Sequence, residues 1–328
     1  MTQHSSLSTQ SCNQPLRWLI TGGCGFIGTS LIRALIAEGG HSIRVIDNLS
    51  VGTREDLASV CDFKEIAPSS LIAHHSLLSP DSSITHRSPP SLGSDPSSSL
   101  STQSCELIVG DILDEQLALA VSADIDVIVH LAANTGVGPS VEDPRKDCVT
   151  NVIGILNYLD AARHNKVKRF VFASSGAPVG ECQPPIHEEL PAHPVSPYGA
   201  SKLAGEGYCS AYYRSFGVET VALRFGNVYG PGSGHKASVV AKFIKQAMNG
   251  ETLEIYGDGK QTRDFIYIED LTRAIQLAAT KENVGGEVFQ IATNKETTVS
   301  EMLGELAKVM KDAGMPDVEV IYGEKRQG

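Results

Sequence analysis

An α/β fold is what the 328-residue sequence predicts: a parallel sheet with helices on both faces, plus a smaller C-terminal α/β lobe. Three observations carry it. Short apolar runs alternate with segments of helical periodicity. A glycine-rich turn joins the first run to the first helix, and an aspartate closes the second run. The length is enough to bury a large core. A net charge of −11 argues against a nucleic-acid surface.

The elements follow in order. Residues 1–14 are polar, read as a disordered tail, and lack the apolar core of a signal peptide. Residues 16–21 form a short apolar run, a buried strand, which leads directly into Gly22-Gly-Cys-Gly-Phe-Ile-Gly28. Residues 29–38 repeat their apolar side chains at helical spacing and end at Gly39-Gly40. A second strand, 43–46, ends at Asp47. Strand, glycine turn, helix, strand and an acidic residue about 20 positions on make the Rossmann-type dinucleotide signature. Gly22, Gly25 and Gly28 let backbone approach a pyrophosphate, whose charge meets a helix N-terminus. The Asp47 carboxylate accepts hydrogen bonds from ribose hydroxyls and repels a 2′-phosphate, so the expected cofactor is NAD rather than NADP.

Residues 67–104 hold 14 serines and 5 prolines and read as a flexible surface insertion between a helix at 54–60 and a strand at 106–109. A regulatory or binding role is the alternative to a tolerated loop. Beyond it, strands at 126–131, 169–175 and 219–224 alternate with helices at 151–163 and 198–216. Repeated βα units place ligands at the carboxyl edge of the sheet. The chain divides into a nucleotide-binding domain at 15–225 and a lobe at 226–328 that mainly binds substrate, some of whose elements return to the first domain.

Chemistry enters with Tyr198-Gly-Ala-Ser-Lys202. A Tyr and a Lys four residues apart share a helix face, where the ammonium can stabilise the phenolate and lower its pKa. Ser175, at the end of a strand, can reach the same edge. Together these three are candidate acid/base machinery for a hydroxyl group. The seven cysteines, at 12, 24, 61, 105, 148, 182 and 209, are scattered without a Cys-x-x-Cys, and the histidines lack ligand spacing. No metal site, no membrane span and no disulfide framework is indicated; a cytoplasmic enzyme is the default.

These motifs resemble those of the extended short-chain dehydrogenases/reductases, in the NAD-dependent epimerase/dehydratase family that acts on nucleotide sugars. The resemblance runs from about residue 17 to 328, leaving out the insertion. It rests on Thr21–Gly28, Asp47-Asn-Leu-Ser50, Gly110-Asp-Ile112, His130-Leu-Ala-Ala133, Asn151, Ser174-Ser175, Tyr198-x-x-x-Lys202, Arg224–Gly232 and Arg263–Asp270. It implies that Phe26 and Ile27 cover the pyrophosphate, and that Asp47, Asn48, Leu49, Ser50 and Gly52 hold the adenosine ribose. Asp111 and Ile112 would flank the adenine, and Leu131, Ala132 and Ala133 line the way to the nicotinamide. Lys202 would bind the nicotinamide ribose. Ser175 and Tyr198 would bind the reacting sugar; Asn227, Arg263 and Arg326 would meet the diphosphate. A guanidinium suits a phosphate geometrically, although Arg263 could instead pair with Asp264 or Glu269.

The implied reaction is inversion at C4 of a UDP-hexose or UDP-N-acetylhexosamine through a transient 4-keto sugar. Other members of the fold give the alternatives: a UDP-uronate epimerase, a 4,6-dehydratase, a decarboxylase or, more distantly, a non-catalytic NAD-binding sensor. The resemblance also implies a homodimer, with the helices near 151–163 and 199–216 as its interface; Leu156, Leu159 and Tyr212 are apolar members of it or simply core. Three departures from the family pattern stand out. Pro178-Val-Gly180 replaces Val-Tyr-Gly, Asn134-Thr-Gly136 replaces a large polar residue, and the chain stops where relatives continue for a few more elements.

Overall fold

The structure, a computed structural model, describes residues 15–78, 104–235, 238–314 and 319–324. Arg326, residues 1–14 and most of the serine-rich segment lie outside them. In chain order the strands are β1 (Arg17–Thr21), β2 (Ser42–Asp47), β3 (Lys64–Glu65), β4 (Ser104–Val109), β5 (Val127–His130), β6 (Arg169–Ser175) and β7 (Thr220–Phe225). They continue with β8 (Asn227–Tyr229), β9 (Leu253–Tyr256), β10 (Thr262–Arg263), β11 (Phe265–Tyr267), β12 (Val288–Ile291), β13 (Thr297–Thr298) and β14 (Val320–Gly323).

Eight of them form a sheet in the order β12-β7-β6-β5-β1-β2-β4-β3, every pair parallel. Its strands are apolar almost throughout because both faces are covered. Trp18, Ile20, Val45, Val129 and Val171 point to one face, where the helices Phe26–Glu38 and Ile268–Thr280 bury them. Leu19, Ile46, Ile108, Ile128 and Phe170 point to the other, beneath Glu115–Val121, Gly154–His164 and Pro197–Phe216. Strand order reverses between β1 and β5, so a crevice opens at their carboxyl ends.

The described residues after 225 divide between two places. β12 extends the main sheet beside β7, and Ile268–Thr280 packs onto its first face. The remainder builds three two-stranded sheets (β8 with β11, β9 with β14, β10 with β13) and a third, smaller core around Phe243, Leu253, Val299 and Leu303.

Two local expectations change. Composition predicts a flexible loop from 67, yet Pro68–Leu78 is a helix, with Leu71 and Ile72 against the second core. Two apolar side chains within a serine-rich run suffice once a neighbouring surface receives them. The single helix expected over 151–163 is likewise replaced by two pieces, a π-helical turn Val149–Ile153 and Gly154–His164, which follow a short helix Pro144–Cys148. Such a turn keeps helical hydrogen-bonding periodicity locally wide, and it falls on Asn151. Leu159 and Tyr212 belong to the core of the chain itself, and Leu156 packs against it. Among the described residues no helix is long and apolar enough to cross a membrane.

Candidate active site

A cleft of about 740 Å³ occupies the β1/β5 crevice. Gly22, Gly25, Asp47, Asn48, Ser50, Gly52, Asp111, Ile112, Leu131, Ala132 and Ala133 line it, which gathers most of the sequence-predicted cofactor residues in one place. Gly22 has φ 69°, and a Cβ there would lie 2.9 Å from the Ala132 nitrogen. Gly28 sits where a Cβ would come within 2.5 Å of the Gly23 Cα, so helix and strand could not close on each other. Phe26 and Ile27 begin the helix whose N-terminus faces this turn. Leu49 takes a left-handed φ of 57°, held by a 2.8 Å hydrogen bond from its N–H to Asp47 Oδ1.

Asp47 is buried, and its Oδ2 accepts the Cys24 N–H at 3.0 Å. Burial pushes its carboxyl pKa up, while the Leu49 and Cys24 N–H groups draw it down. Asp111 is tied by its own bonds to Asn48 Nδ2 at 3.3 Å and to the Leu113 N–H at 2.9 Å. The backbone cradle, the helix N-terminus and a carboxylate at the ribose position fit a dinucleotide. The cleft wall also includes Pro139, Lys146, Val149 and Thr150, which sequence reasoning missed. Nothing in their local pattern marks them; the two short helices Val137–Glu142 and Pro144–Cys148 and the π-helical turn bring them there.

The candidate acid/base trio stands one strand further along. Ser175 ends β6, and Tyr198 and Lys202 project from Pro197–Phe216, a helix started by Ser196 accepting the Gly199 N–H. Gly199 lets the helix pass the Ala177 carbonyl, which a Cβ would meet at 2.7 Å. Tyr198 and Ser175 share a hydrogen bond. Lys202, 3% exposed, donates to the Ala173 carbonyl at 2.8 Å and lies 4.9 Å from the Phe172 ring centroid and 5.8 Å from that of Tyr198.

The expected electrostatics need one correction. The spacing predicts that Lys202 lowers the Tyr198 pKa, but burial pushes the phenol up, and the Ser175 hydrogen bond only partly opposes it. Lys202 is itself pushed down to about 8 by burial, against the pull of Asp147 and Glu206. His130, packed at 5.3 Å from Tyr158 and bonded to Thr21 Oγ1 at 3.1 Å, is driven down to about 3 by burial and by Lys202, and is neutral.

Beneath the trio, Glu206 holds Arg224 in a fork of 2.9 and 2.8 Å and accepts the Ser174 hydroxyl at 2.5 Å. Both charges are at most 5% exposed, so this pair fixes β6, β7 and the tyrosine helix to one another. Asn151 is a second clamp: it exchanges hydrogen bonds with the Asn134 backbone at 2.7 and 3.0 Å and reaches Ser201 Oγ at 3.0 Å. Of the substrate candidates, Asn227 is exposed on β8. Arg263 is exposed on β10, with Nη1 on the Thr262 carbonyl at 2.8 Å. Asp264 turns away from Arg263, accepting from Thr293 and the Lys295 N–H.

Parallel sheet, switch-point cleft and Ser–Tyr–Lys trio together define an NAD-binding enzyme of the Rossmann type. The chain belongs to the NAD dependent epimerase/dehydratase family, whose model matches residues 18–292. It is 33% identical over 307 residues to a UDP-glucose 4-epimerase of Mycolicibacterium smegmatis, covering 92% of this chain and 84% of that one. Among solved structures it resembles a UDP-N-acetylglucosamine 4-epimerase from Methanobrevibacter ruminantium (TM-score 0.77, 29% identity, 96% and 87% of the two chains). It also resembles a dTDP-glucose 4,6-dehydratase from Streptomyces venezuelae with NAD bound (TM-score 0.74, 28% identity, 95% and 85%). The cofactor is NAD. Epimerases, dehydratases and decarboxylases all occur among the relatives, so family membership leaves the particular reaction open.

Proposed function

We propose that this chain inverts C4 of a UDP-hexose or UDP-N-acetylhexosamine. One observation carries the choice within the family. Ser175 is followed by Gly176-Ala177-Pro178, none of which can transfer a proton, and the next carboxylate in sequence is Glu181. Eliminating water from a sugar needs an acid and a base beyond Tyr198. This strand end supplies a hydroxyl and a turn, with the Ala177 N–H on Ser175 Oγ at 3.2 Å and the Val179 N–H on the Gly176 carbonyl at 3.2 Å.

When bound, NAD would supply reversible hydride-transfer chemistry at the sugar carbon. The chain does the rest. The glycine turn, Asp47 and Lys202 hold the dinucleotide. Tyr198 takes the proton of the 4-hydroxyl, and Ser175 orients that oxygen by a hydrogen bond. Because burial raises the phenol, turnover near neutral pH depends on positive charge beside it, from Lys202 and from the oxidised cofactor. Asn227, Arg263 and Arg326 are the candidate diphosphate contacts, which would keep a 4-keto sugar bound while it turns over. A cytoplasmic homodimer is part of this reading, and light scattering that shows only monomer would remove the dimer.

Incubation with UDP-glucose, UDP-N-acetylglucosamine and UDP-glucuronate, followed by proton NMR, tests the proposal. The expected result is an equilibrium mixture of C4 epimers of a neutral sugar with no cofactor consumed. A 4-keto-6-deoxy sugar, or loss of carbon dioxide from the uronate, would replace it with dehydration or decarboxylation.

A further inference from the structure

Asp147 lies in the short helix Pro144–Cys148 with 0% of its surface exposed. Its Oδ1 accepts a 3.1 Å hydrogen bond from Asn151 Nδ2, while its Oδ2 is buried with no hydrogen-bond partner among the described residues. A carboxylate taken out of water and half-partnered opposes folding. An apolar side chain or a carboxamide would fill the same space at lower cost, so packing alone does not account for a carboxylate here.

Asn151 passes the contact on. Its Nδ2 faces three acceptors, Asp147 Oδ1, the Asn134 carbonyl and Ser201 Oγ, and its Oδ1 accepts the Asn134 N–H, which fixes the direction of the amide. Ser201 in turn donates to the Tyr198 carbonyl at 3.0 Å. The π-helical turn Val149–Ile153 sets Asn151 in the middle of this path. We propose that Asp147 is a positioning residue for the acid/base centre: it orients Asn151, which anchors the first turn of the tyrosine helix to the loop after β5, and its charge acts on Lys202 from a short helix packed against the tyrosine helix.

The charged and titratable neighbours make the second half of that statement testable. The charged and titratable groups acting on Lys202 are Glu206 and Tyr198 of its own helix, His130 of β5 and Asp147 of the short helix that packs against the tyrosine helix. Burial draws Lys202 down to about 8, and Asp147, ahead of Glu206, draws it back up. Tyr198 is faced by Ser175 and Asp147, and Asp147 raises it. Asp147 therefore keeps the ammonium charged above neutral pH at the expense of a less acidic phenol. Removing its charge lowers both groups, and both limbs of a bell-shaped pH profile move toward acid.

The proposal rests on the reading of Tyr198 and Lys202 as the acid/base and ribose-binding groups, so the test includes a readout that needs no turnover. NADH binding, followed by fluorescence between about pH 6.5 and 9.5 (about 1.5 units on either side of the shifted lysine), weakens as Lys202 loses its proton. Asp147→Asn keeps the hydrogen bond to Asn151, by presenting its amide oxygen, and loses only the charge. Its binding midpoint is expected about half a pH unit below that of the unaltered protein, with a matching acidward shift of kcat. Equal midpoints would overturn the electrostatic role. Ser201→Ala cuts the path on the other side and leaves the charge: kcat should fall about tenfold with an unmoved NADH midpoint. Unchanged kcat would overturn the positioning role. A shifted midpoint in Asp147→Asn with no epimerisation by either protein would retain the role of Asp147 and discard the proposed reaction.

Discussion

The two halves of the molecule treat polar groups differently. Beneath the trio a buried network ties Glu206 to Arg224 and Ser174, Lys202 to Ala173, and Asn151 to Asn134 and Ser201. In the smaller lobe the candidate diphosphate groups Asn227 and Arg263 are exposed, and β14 presents Val320, Ile321 and Tyr322 at 37–61% exposure. A fixed cofactor permits a fixed, dry site, because its atoms are the same on every turnover. In the proposed reaction a sugar turns over between two half-reactions and needs room. The difference teaches that a fixed frame holds the candidate acid/base groups while the candidate substrate contacts are left open.

The largest effect belongs to the fixed half. Tyr198→Phe removes the transferable proton and leaves the ring, so turnover should fall by about 10³-fold while NADH affinity stays within about twofold. Near-normal turnover would remove Tyr198 from its role. Next comes the buried ion pair. Glu206→Ala strands Arg224 at 4% exposure, and urea unfolding should show a loss of about 3–5 kcal/mol. A loss below about 1 kcal/mol would mean that the pair is dispensable to the frame.

Lys202 gives a pH-dependent test. Its folded pKa of about 8 lies below its value of 10.5 in an unfolded chain, so between these values the unfolded state binds more protons and stability rises with pH. Lys202→Met lacks this contribution. The variant should be relatively most stable below pH 8, and its advantage should shrink by up to about 3 kcal/mol as pH climbs toward 10.5. A constant difference across that window would contradict the desolvated ammonium. The smallest effect is expected in the open half: Arg263→Ala should raise KM for a UDP-sugar about tenfold, leaving kcat and NADH binding nearly unchanged. An equal loss in kcat would place Arg263 closer to the reacting atoms than its exposed position on β10 suggests.

Legibility in the sequence follows the same division. Gly22, Gly25, Gly28 and Asp47 announce themselves because local backbone chemistry demands those residue types at that spacing. The trio is readable for a related reason, since a helix brings Tyr198 and Lys202 onto one face. What stayed hidden depends on distant contacts. Lys146 and Thr150 line the cleft from a short helix and a π-helical turn that lie ahead of the helix expected at 151–163. The direction of the Tyr198 shift depends on burial by surrounding elements, which pair spacing cannot reveal. Pro68–Leu78 folds as a helix although it begins the serine-rich run, because Leu71 and Ile72 find a surface to cover.

The central claim is inversion at C4 by removal and return of the same hydrogen, without an added acid and base for elimination. UDP-glucose and UDP-N-acetylglucosamine carrying deuterium at C4 test it most directly, in ordinary water with catalytic enzyme and no added NAD. The account predicts that one of them gives both C4 epimers with the deuterium retained at C4. Deuterium washed out to solvent, or found at C6 of a 4-keto-6-deoxy product, would contradict it.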